Sequence, residues 1–295
     1  MAAVINIYER IRSFRCFVVT CSYVVVLLTT CASRARASPT TTRATAGGCG
    51  SPNAARNLFC PKPGLKWQIQ FVGRLQVSAG IPMYDIDLFD TPKTTIASLK
   101  KSKHFVVCYF SAGTREDWRP DANKFPAKTV GKPLPDWDGE RWLDIRSTLV
   151  RQVLAARLDL AVRKGCHAVD PDNVDAFTND SGFQLTAADQ LDFNRWIARS
   201  AHSRGLSVGL KNDLRQVAAL VNDFDFAINE QCNAYTECYY LDPFIKKGKA
   251  VFNIEYVERT SQAAQLAKRI CPTMTKKKFS TIIKSNDLNA WRYSC

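Results

Sequence analysis

The sequence predicts an α/β chain folded as a single (β/α)8 barrel of the TIM type. Three observations point there. From Trp67 onward, short apolar runs alternate with helical patterns, which implies a parallel sheet built from strand–helix units. The chain has 295 residues, and what remains after an N-terminal leader and linker suits a barrel of about 250 residues. Polar residues gather at the carboxyl end of each apolar run, where such barrels carry their sites. An open α/β sheet would bind ligands at the same edge, so the last observation survives a change of topology.

Residues 1–37 read as a signal peptide. Arg10, Arg12 and Arg15 precede an uncharged apolar run from Cys16 to Ala32, and the small residues Ala35 and Ala37 follow, a pattern that suits cleavage. The run is shorter than the ~20 residues of a spanning helix; an uncleaved signal-anchor is the alternative. Residues 38–63, rich in Thr, Ala, Gly and Pro, read as a flexible linker, and the barrel is expected over residues 64–295. Strands are expected at Trp67–Gln70, Met83–Leu88, Phe105–Phe110, His167–Asp170, Ser207–Leu210, Asp225–Asn229, Ala250–Ile254 and Thr281–Ile283. A helix is expected over Leu143–Lys164, with Ile145, Leu149, Val153, Ala156 and Leu160 recurring at steps of three and four. Another is expected over Ala187–Arg204, capped by Thr186, with Leu191, Trp196, Ile197 and Ala201 as its buried face. Leu214–Leu220 and Ser261–Ile270 complete the expected helices.

Eleven cysteines are present, and three of them (Cys16, Cys21, Cys31) fall in the leader. The even remainder in an exported chain argues for disulfides. Cys232 and Cys238 flank a short loop, and Cys108 and Cys166 lie near strands that a barrel makes neighbours, so these two pairs are expected. The other four cysteines should tie down the N-terminal extension and the C-terminus. With no C-x2-C pair and three scattered histidines, no metal site is expected. No dinucleotide or P-loop glycine motif follows a strand, so no nucleotide cofactor is expected either. Asn179-Asp180-Ser181 is a glycosylation sequon. The chain carries a formal charge of +14, of which the leader, with five Arg and one Glu, accounts for +4. The remaining excess, about +10, favours acidic partners or simply a soluble surface. Lys276–Lys278 is the one compact basic run; it lacks interleaved aromatics, so neither nucleic acid nor, once the leader is removed, a membrane is an expected partner.

The segment Asp170-Pro171-Asp172-Asn173-Val174-Asp175 carries the most chemistry. On a strand Asp170 and Asp172 face the same side, and nearby carboxylates repel, which raises one pKa and leaves the other group ionised. Glycoside cleavage needs such a pair. Asx-turns and helix caps use the same residue types; Glu230 and Lys211, at the ends of two other strands, tip the reading towards a site. Lys211 suits a charge partner of the carboxylates better than a Schiff-base nucleophile. Trp67, Trp118, Trp137 and Trp142 could stack on sugars or pack the core.

A set of segments then occurs in order: Trp67–Gln70, Tyr84–Thr91, Val107–Gly113, Val169–Asp175, Gly209–Asp213 and Asn229–Cys232. This set resembles the endo-α-1,4-polygalactosaminidase family, glycoside hydrolase family 114. The resemblance spans the chain from about Trp67 to the C-terminus, and it implies a TIM-type barrel that hydrolyses α-1,4-linked galactosamine polymers. It also implies that Asp172 and Glu230 are the catalytic carboxylates, and that Asp87, Tyr109, Asp170, Asp175, Lys211 and Asn212 line the cleft. Asp85 and Glu255 join these carboxylates in an expected acidic rim, which would reconcile a basic chain with a cationic polymer. Within the pair, Glu230 is expected to be the acid, and Asp172, in its polar Asp/Asn cluster, the nucleophile or base. The expected protein is a secreted, monomeric, cofactor-free hydrolase with a polysaccharide as its partner. A non-catalytic carbohydrate-binding barrel is the alternative, and it would have lost one of the two carboxylates.

Overall fold

The computed structural model describes residues 47–54 and 58–295; the expected leader lies outside the described residues. Among the described residues, twelve strands and six α-helices follow in order. The strands are β1 (Trp67–Gln70), β2 (Met83–Asp87), β3 (Phe105–Ser111), β4 (Thr114–Glu116), β5 (Val130–Pro133), β6 (Glu140–Leu143), β7 (Ala168–Asp172), β8 (Ser207–Lys211), β9 (Phe226–Glu230), β10 (Val251–Tyr256), β11 (Ser280–Lys284) and β12 (Tyr293–Ser294). The helices are α1 (Lys93–Lys101), α2 (Thr148–Lys164), α3 (Ala187–His202), α4 (Val217–Leu220), α5 (Asp242–Lys246) and α6 (Ala263–Lys276). No helix among the described residues is long and apolar enough to cross a membrane.

All eight expected strands form, and they neighbour one another in the order β1-β2-β3-β7-β8-β9-β10-β11, every pair parallel. This is the TIM-type α/β barrel that the alternating pattern implies. Side chains alternate between two cores, as a barrel sheet requires. Trp67, Ile69, Met83, Val107, Ala168, Phe226, Ile228, Phe252, Ile254 and Ile282 fill the interior. Their strand neighbours Ile86, Cys108, Val169, Val208 and Leu210 pack outward against Leu154 and Leu158 of α2 and Phe193 and Ile197 of α3. The seam between β1 and β11 is crossed by side chains and by the C-terminal segment. The Trp67 indole N–H donates to Ser280 O at 2.8 Å, Gln68 Nε2 to Ala290 O at 2.8 Å, and Phe71 N to Leu288 O at 2.9 Å; β12 lies antiparallel on β11.

Among the described residues, four disulfides join Cys49–Cys60, Cys108–Cys166, Cys232–Cys238 and Cys271–Cys295. Both pairs expected from the sequence are among them. The last pair fastens the C-terminus to α6. The first closes the N-terminal extension on itself rather than tying it to the barrel.

Several expectations need correction. Part of the segment read as linker packs against the amino ends of the strands. Phe59 stacks on Phe105 with ring centroids 4.1 Å apart and belongs to the interior core, so it plugs the bottom of the barrel. Ser207 Oγ donates to Phe59 O and Cys49 N to Asp225 Oδ1. Helix α2 begins at Thr148, not Leu143, which ends β6. Its buried stripe is Val150, Val153, Leu154, Arg157, Leu158 and Ala161, one position away from the apolar stripe read in the sequence; Leu149 and Ala156 are exposed. A charged residue sits on the buried face, and that misdirected the reading. Arg157 is accommodated because its guanidinium donates to both Asp121 oxygens and to Ser111 O, between 2.7 and 2.9 Å. Helix α3 has its expected start and cap, a reciprocal capping box of Thr186 and Asp189, but ends at His202, two residues before the expected end. Ile197 and Ala201 are on its buried face as expected, whereas Leu191 and Trp196 are half-buried. A three-stranded antiparallel sheet, β4-β6-β5, stands between β3 and α2 where no strands were expected. Trp67 and Trp142 are buried packing residues, whereas Trp118 and Trp137 stand exposed on this insert.

Candidate active site

Three neighbouring strands carry one inward side chain each at their carboxyl ends. Counting by twos from the interior residues Ala168, Gly209 and Phe226 leads to Asp172 on β7, Lys211 on β8 and Glu230 on β9. Gly209 makes room below the lysine, since a Cβ there would stand 2.5 Å from the Phe226 ring. After each of the three the chain turns into the left-handed region, at Asn173, Asn212 and Gln231 (φ 60°, 49° and 61°). Asparagine tolerates that conformation better than most residues, which explains two of the three choices. Asp172 and Glu230 remain partly exposed at the barrel mouth, with Lys211 buried between them.

The three groups form one bridge. Lys211 Nζ lies 3.0 Å from Asp172 Oδ2 and 3.3 Å from Glu230 Oε2. Tyr109 OH donates to Asp172 Oδ2 at 3.1 Å, and Tyr256 OH donates to Glu230 Oε1 at 2.6 Å. Asn212 Nδ2 donates to Glu230 Oε2, while Asn212 Oδ1 accepts from Glu230 N and Asn229 Nδ2. Each carboxylate is therefore held by the shared lysine and by a tyrosine of its own.

Electrostatics follow from this bridge. Burial disfavours the charged lysine, but Asp172, Glu230 and Asp170 outweigh it and hold Lys211 well above the ordinary lysine range, fully protonated. Burial pushes Glu230 up, yet Lys211 and the bonds from Tyr256 and Asn212 win and keep it below the usual glutamate value. The free enzyme thus holds Glu230 as a carboxylate, the opposite of a resting general acid. Burial and the adjacent carboxylates raise both tyrosines, so Tyr109 and Tyr256 remain donors. Beneath the bridge, Asp85 and Asp170 are fully buried, and none of their four oxygens receives a hydrogen bond from another group. Two such carboxyls cannot both ionise; a proton held between them satisfies both. Burial, then mutual repulsion, raises Asp85, and burial against the pull of Lys211 leaves Asp170 at about 7.

The structure brings Asp172, Glu230, Lys211, Asn212, Tyr109 and Asp170 together, with Asp175 beside them and pushed up to about 6 by burial and by Asp172. It does not bring in Asp87 or Glu255. The oxygens of Asp87 are committed to Arg119, at 2.6 and 3.1 Å, and to the N–H groups of Phe89 and Asp90. Glu255 points outward and accepts from Asn233 N, Ala234 N and Asn253 Nδ2, which pins the loop after Glu230. Alternation along β10 was the available signal: interior Phe252 and Ile254 make Tyr256, not Glu255, the inward residue. Tyr256 and Asp213 are the residues that sequence reasoning missed.

The sequence model of glycoside-hydrolase family GH114 matches residues 50–295. The chain belongs to this family. Ega3 from Aspergillus fumigatus, whose crystal structure is a complex with galactosamine, is 42% identical, with a TM-score of 0.77 over 80% of this chain and 97% of that one. The glycoside hydrolase domain of PelA from Pseudomonas aeruginosa shares the fold at 14% identity, with a TM-score of 0.62 over 78% of this chain and 98% of that domain. Comparison with curated proteins finds no match. As a GH114 member the chain is a glycosidase on a TIM-type barrel, and its mouth holds the paired carboxylates that such chemistry requires.

Proposed function

We propose that this GH114 protein is a secreted, endo-acting hydrolase of α-1,4-linked galactosamine polymers, with Asp172 as nucleophile and Glu230 as acid/base. The observation that carries the reading is the lysine bridge. Two carboxylate oxygens contact one Nζ at 3.0 and 3.3 Å, which keeps them closer than the lower limit of the inverting arrangement, about 6.5 Å. Such closeness suits double displacement with retention. An Asp172 oxygen bonds to the anomeric carbon as the glycosidic C–O bond breaks, and the Glu230 proton passes to the leaving oxygen. Water then attacks the same carbon, returns a proton to Glu230 and releases Asp172. Glu230 is the more exposed of the two side chains, which suits a group that must exchange protons with solvent. Its resting charge means that the acid form is the minority at neutral pH, and the rate should rise as the medium becomes acidic.

The galactosamine preference rests on family membership, on the galactosamine seen with Ega3, and on local charge. The mouth gathers Asp85, Asp170, Asp172, Asp175 and Glu230 around one lysine, although the chain is basic overall. Export is supported by the pairing of all eight cysteines beyond the leader. The test is incubation of the purified protein with α-1,4-galactosamine oligomers, with products read by mass and first-formed anomers by proton NMR. Shorter oligomers with retained configuration are expected. An untouched oligomer would overturn the activity, and inverted product would overturn the double displacement.

A further inference from the structure

A groove of about 650 Å³ opens between the loop after β1 and helix α1, apart from the lysine bridge. Its size falls among ligand sites, which span about 300–1,000 Å³. Phe71, Arg74, Asp90, Thr94, Thr95 and Ser98 are among its lining. Thr94, Thr95 and Ser98 share one side of α1, because residues three and four apart on a helix are neighbours. The charges of the lining are Arg74 and Asp90, of opposite sign, and Phe71, Leu75 and Ile86 supply apolar surface. Hydroxyls, balanced charge and an aromatic face suit the hydroxyls and the C–H face of a pyranose ring. The loop wall is held in shape from within. Buried Gln70 donates from Nε2 to Val72 O and Arg74 O, at 3.0 Å each, and its Oε1 accepts from Gln76 N at 3.1 Å.

Phe71 belongs to the groove and to the site at once. Its ring stacks on Tyr109 with centroids 4.3 Å apart. The Lys211 ammonium lies 5.7 Å from the centroid of the same tyrosine ring, whose hydroxyl donates to Asp172 Oδ2 at 3.1 Å. Groove, Phe71, Tyr109 and the proposed nucleophile thus form one chain of contacts.

We propose that the groove binds a further sugar unit of the polymer, remote from the scissile bond, and that Phe71 is a positioning residue that passes its occupation to Asp172 through Tyr109. This rests on the proposed hydrolase reading and extends it to chain length. A sugar in the groove packs against Phe71 and restricts its ring. Tyr109, held between Phe71 and Lys211, then fixes the Asp172 oxygen in one orientation. Binding energy gained away from the reacting bond is used at that bond, so shortened substrates lose kcat as well as affinity.

The test measures kcat over a ladder of de-acetylated oligomers of increasing length, and affinity by calorimetry in a Glu230→Gln background. Once an oligomer reaches the groove, wild type should gain about tenfold in kcat, the scale of one aromatic contact. Ser98→Trp, which fills the groove from the exposed side of α1, should erase the gain in both kcat and affinity. Phe71→Ala should erase the gain in kcat and leave most of the gain in affinity, and Phe71→Tyr, which keeps the ring, should restore it. The melting temperature checks each fold. Rates and affinities that do not rise with length, or a rise undiminished in folded Ser98→Trp, would overturn the groove. A kcat gain that survives Phe71→Ala would overturn the role of Phe71. If no oligomer is cleaved, but longer ones bind more tightly and Ser98→Trp abolishes the difference, the hydrolase reading fails and the groove stands.

Discussion

Two buried charge clusters sit at the same barrel mouth and differ in how their charges are matched. In one, Asp87, Glu116 and Asp121 surround Arg119 and Arg157. Arg119 reaches Asp87 at 2.6 Å and Glu116 at 2.8 Å, and Arg157 reaches Asp121 at 2.8 Å and Glu116 at 3.8 Å. Each carboxylate touches a guanidinium, a planar fork with a permanent charge. In the other, Asp172 and Glu230 share a single ammonium, two tyrosines complete their shells, and Asp85 and Asp170 below have no cation in contact. The first cluster gives each carboxylate a guanidinium within ion-pair distance, leaving Glu116 Oε2 without a hydrogen bond, and holds the insert to the barrel. The second is short of positive charge and keeps its carboxylates partly open, which is what a reacting, cationic sugar can use. Residue type alone does not separate the two; partner count does.

That contrast makes the largest expected effect catalytic. Asp172→Asn and Glu230→Gln should each lower hydrolysis by on the order of a hundredfold or more, read from initial rates. Neither should lower the melting temperature, because each relieves a carboxylate sharing one lysine. In the arginine cluster the sign is reversed. Arg119→Met leaves Asp87 and Glu116 buried without their partner and should cost about 3–5 kcal/mol of stability, measured by denaturant unfolding.

The difference in legibility between the clusters is equally physical. Short apolar runs alternating with helical patterns made all eight barrel strands readable, and the Thr186 cap fixed the start of α3. The three bridge residues lay at strand ends where alternation and position agree. The arginine cluster was hidden because its elements obey no apolar period. Strand β4 is Thr-Arg-Glu, and the buried face of α2 contains Arg157, so charge pairing replaces hydrophobicity as the reason for burial. Glu255 was chosen over Tyr256 because residue type was weighed above parity, although parity was the stronger physical constraint. Phe59 was missed because an isolated aromatic in a Gly/Pro-rich segment carries no period, and its role exists only once the barrel bottom has been built.

Smaller effects sharpen the comparison. The kcat/KM profile should peak on the acid side of neutral, because the bridge lowers Glu230 in the free enzyme. A peak clearly above neutral would mean that Glu230 is not the proton donor. Stability should move the same way. Asp170, Asp175, Asp213 and Glu140 are raised by burial to about 7, 6, 8 and 7. Each favours the fold while protonated, so its contribution is complete below the ordinary value near pH 4 and is lost as pH rises through those values. The melting temperature should therefore decline from pH 5 to pH 9. Asp85→Asn should flatten part of that decline, because the amide can donate to Asp170 without the shared proton that the two carboxyls need.

The most direct measurement sets Asp172→Asn beside Asp87→Asn, with hydrolysis rate and melting temperature recorded for both on the same de-acetylated oligomer. Asp172→Asn should lose its rate and keep its melting temperature, whereas Asp87→Asn should lose melting temperature and, where folded, keep its rate within severalfold. A fully folded Asp87→Asn as inactive as Asp172→Asn would contradict the division between the two clusters and make Asp87 part of the catalytic machinery.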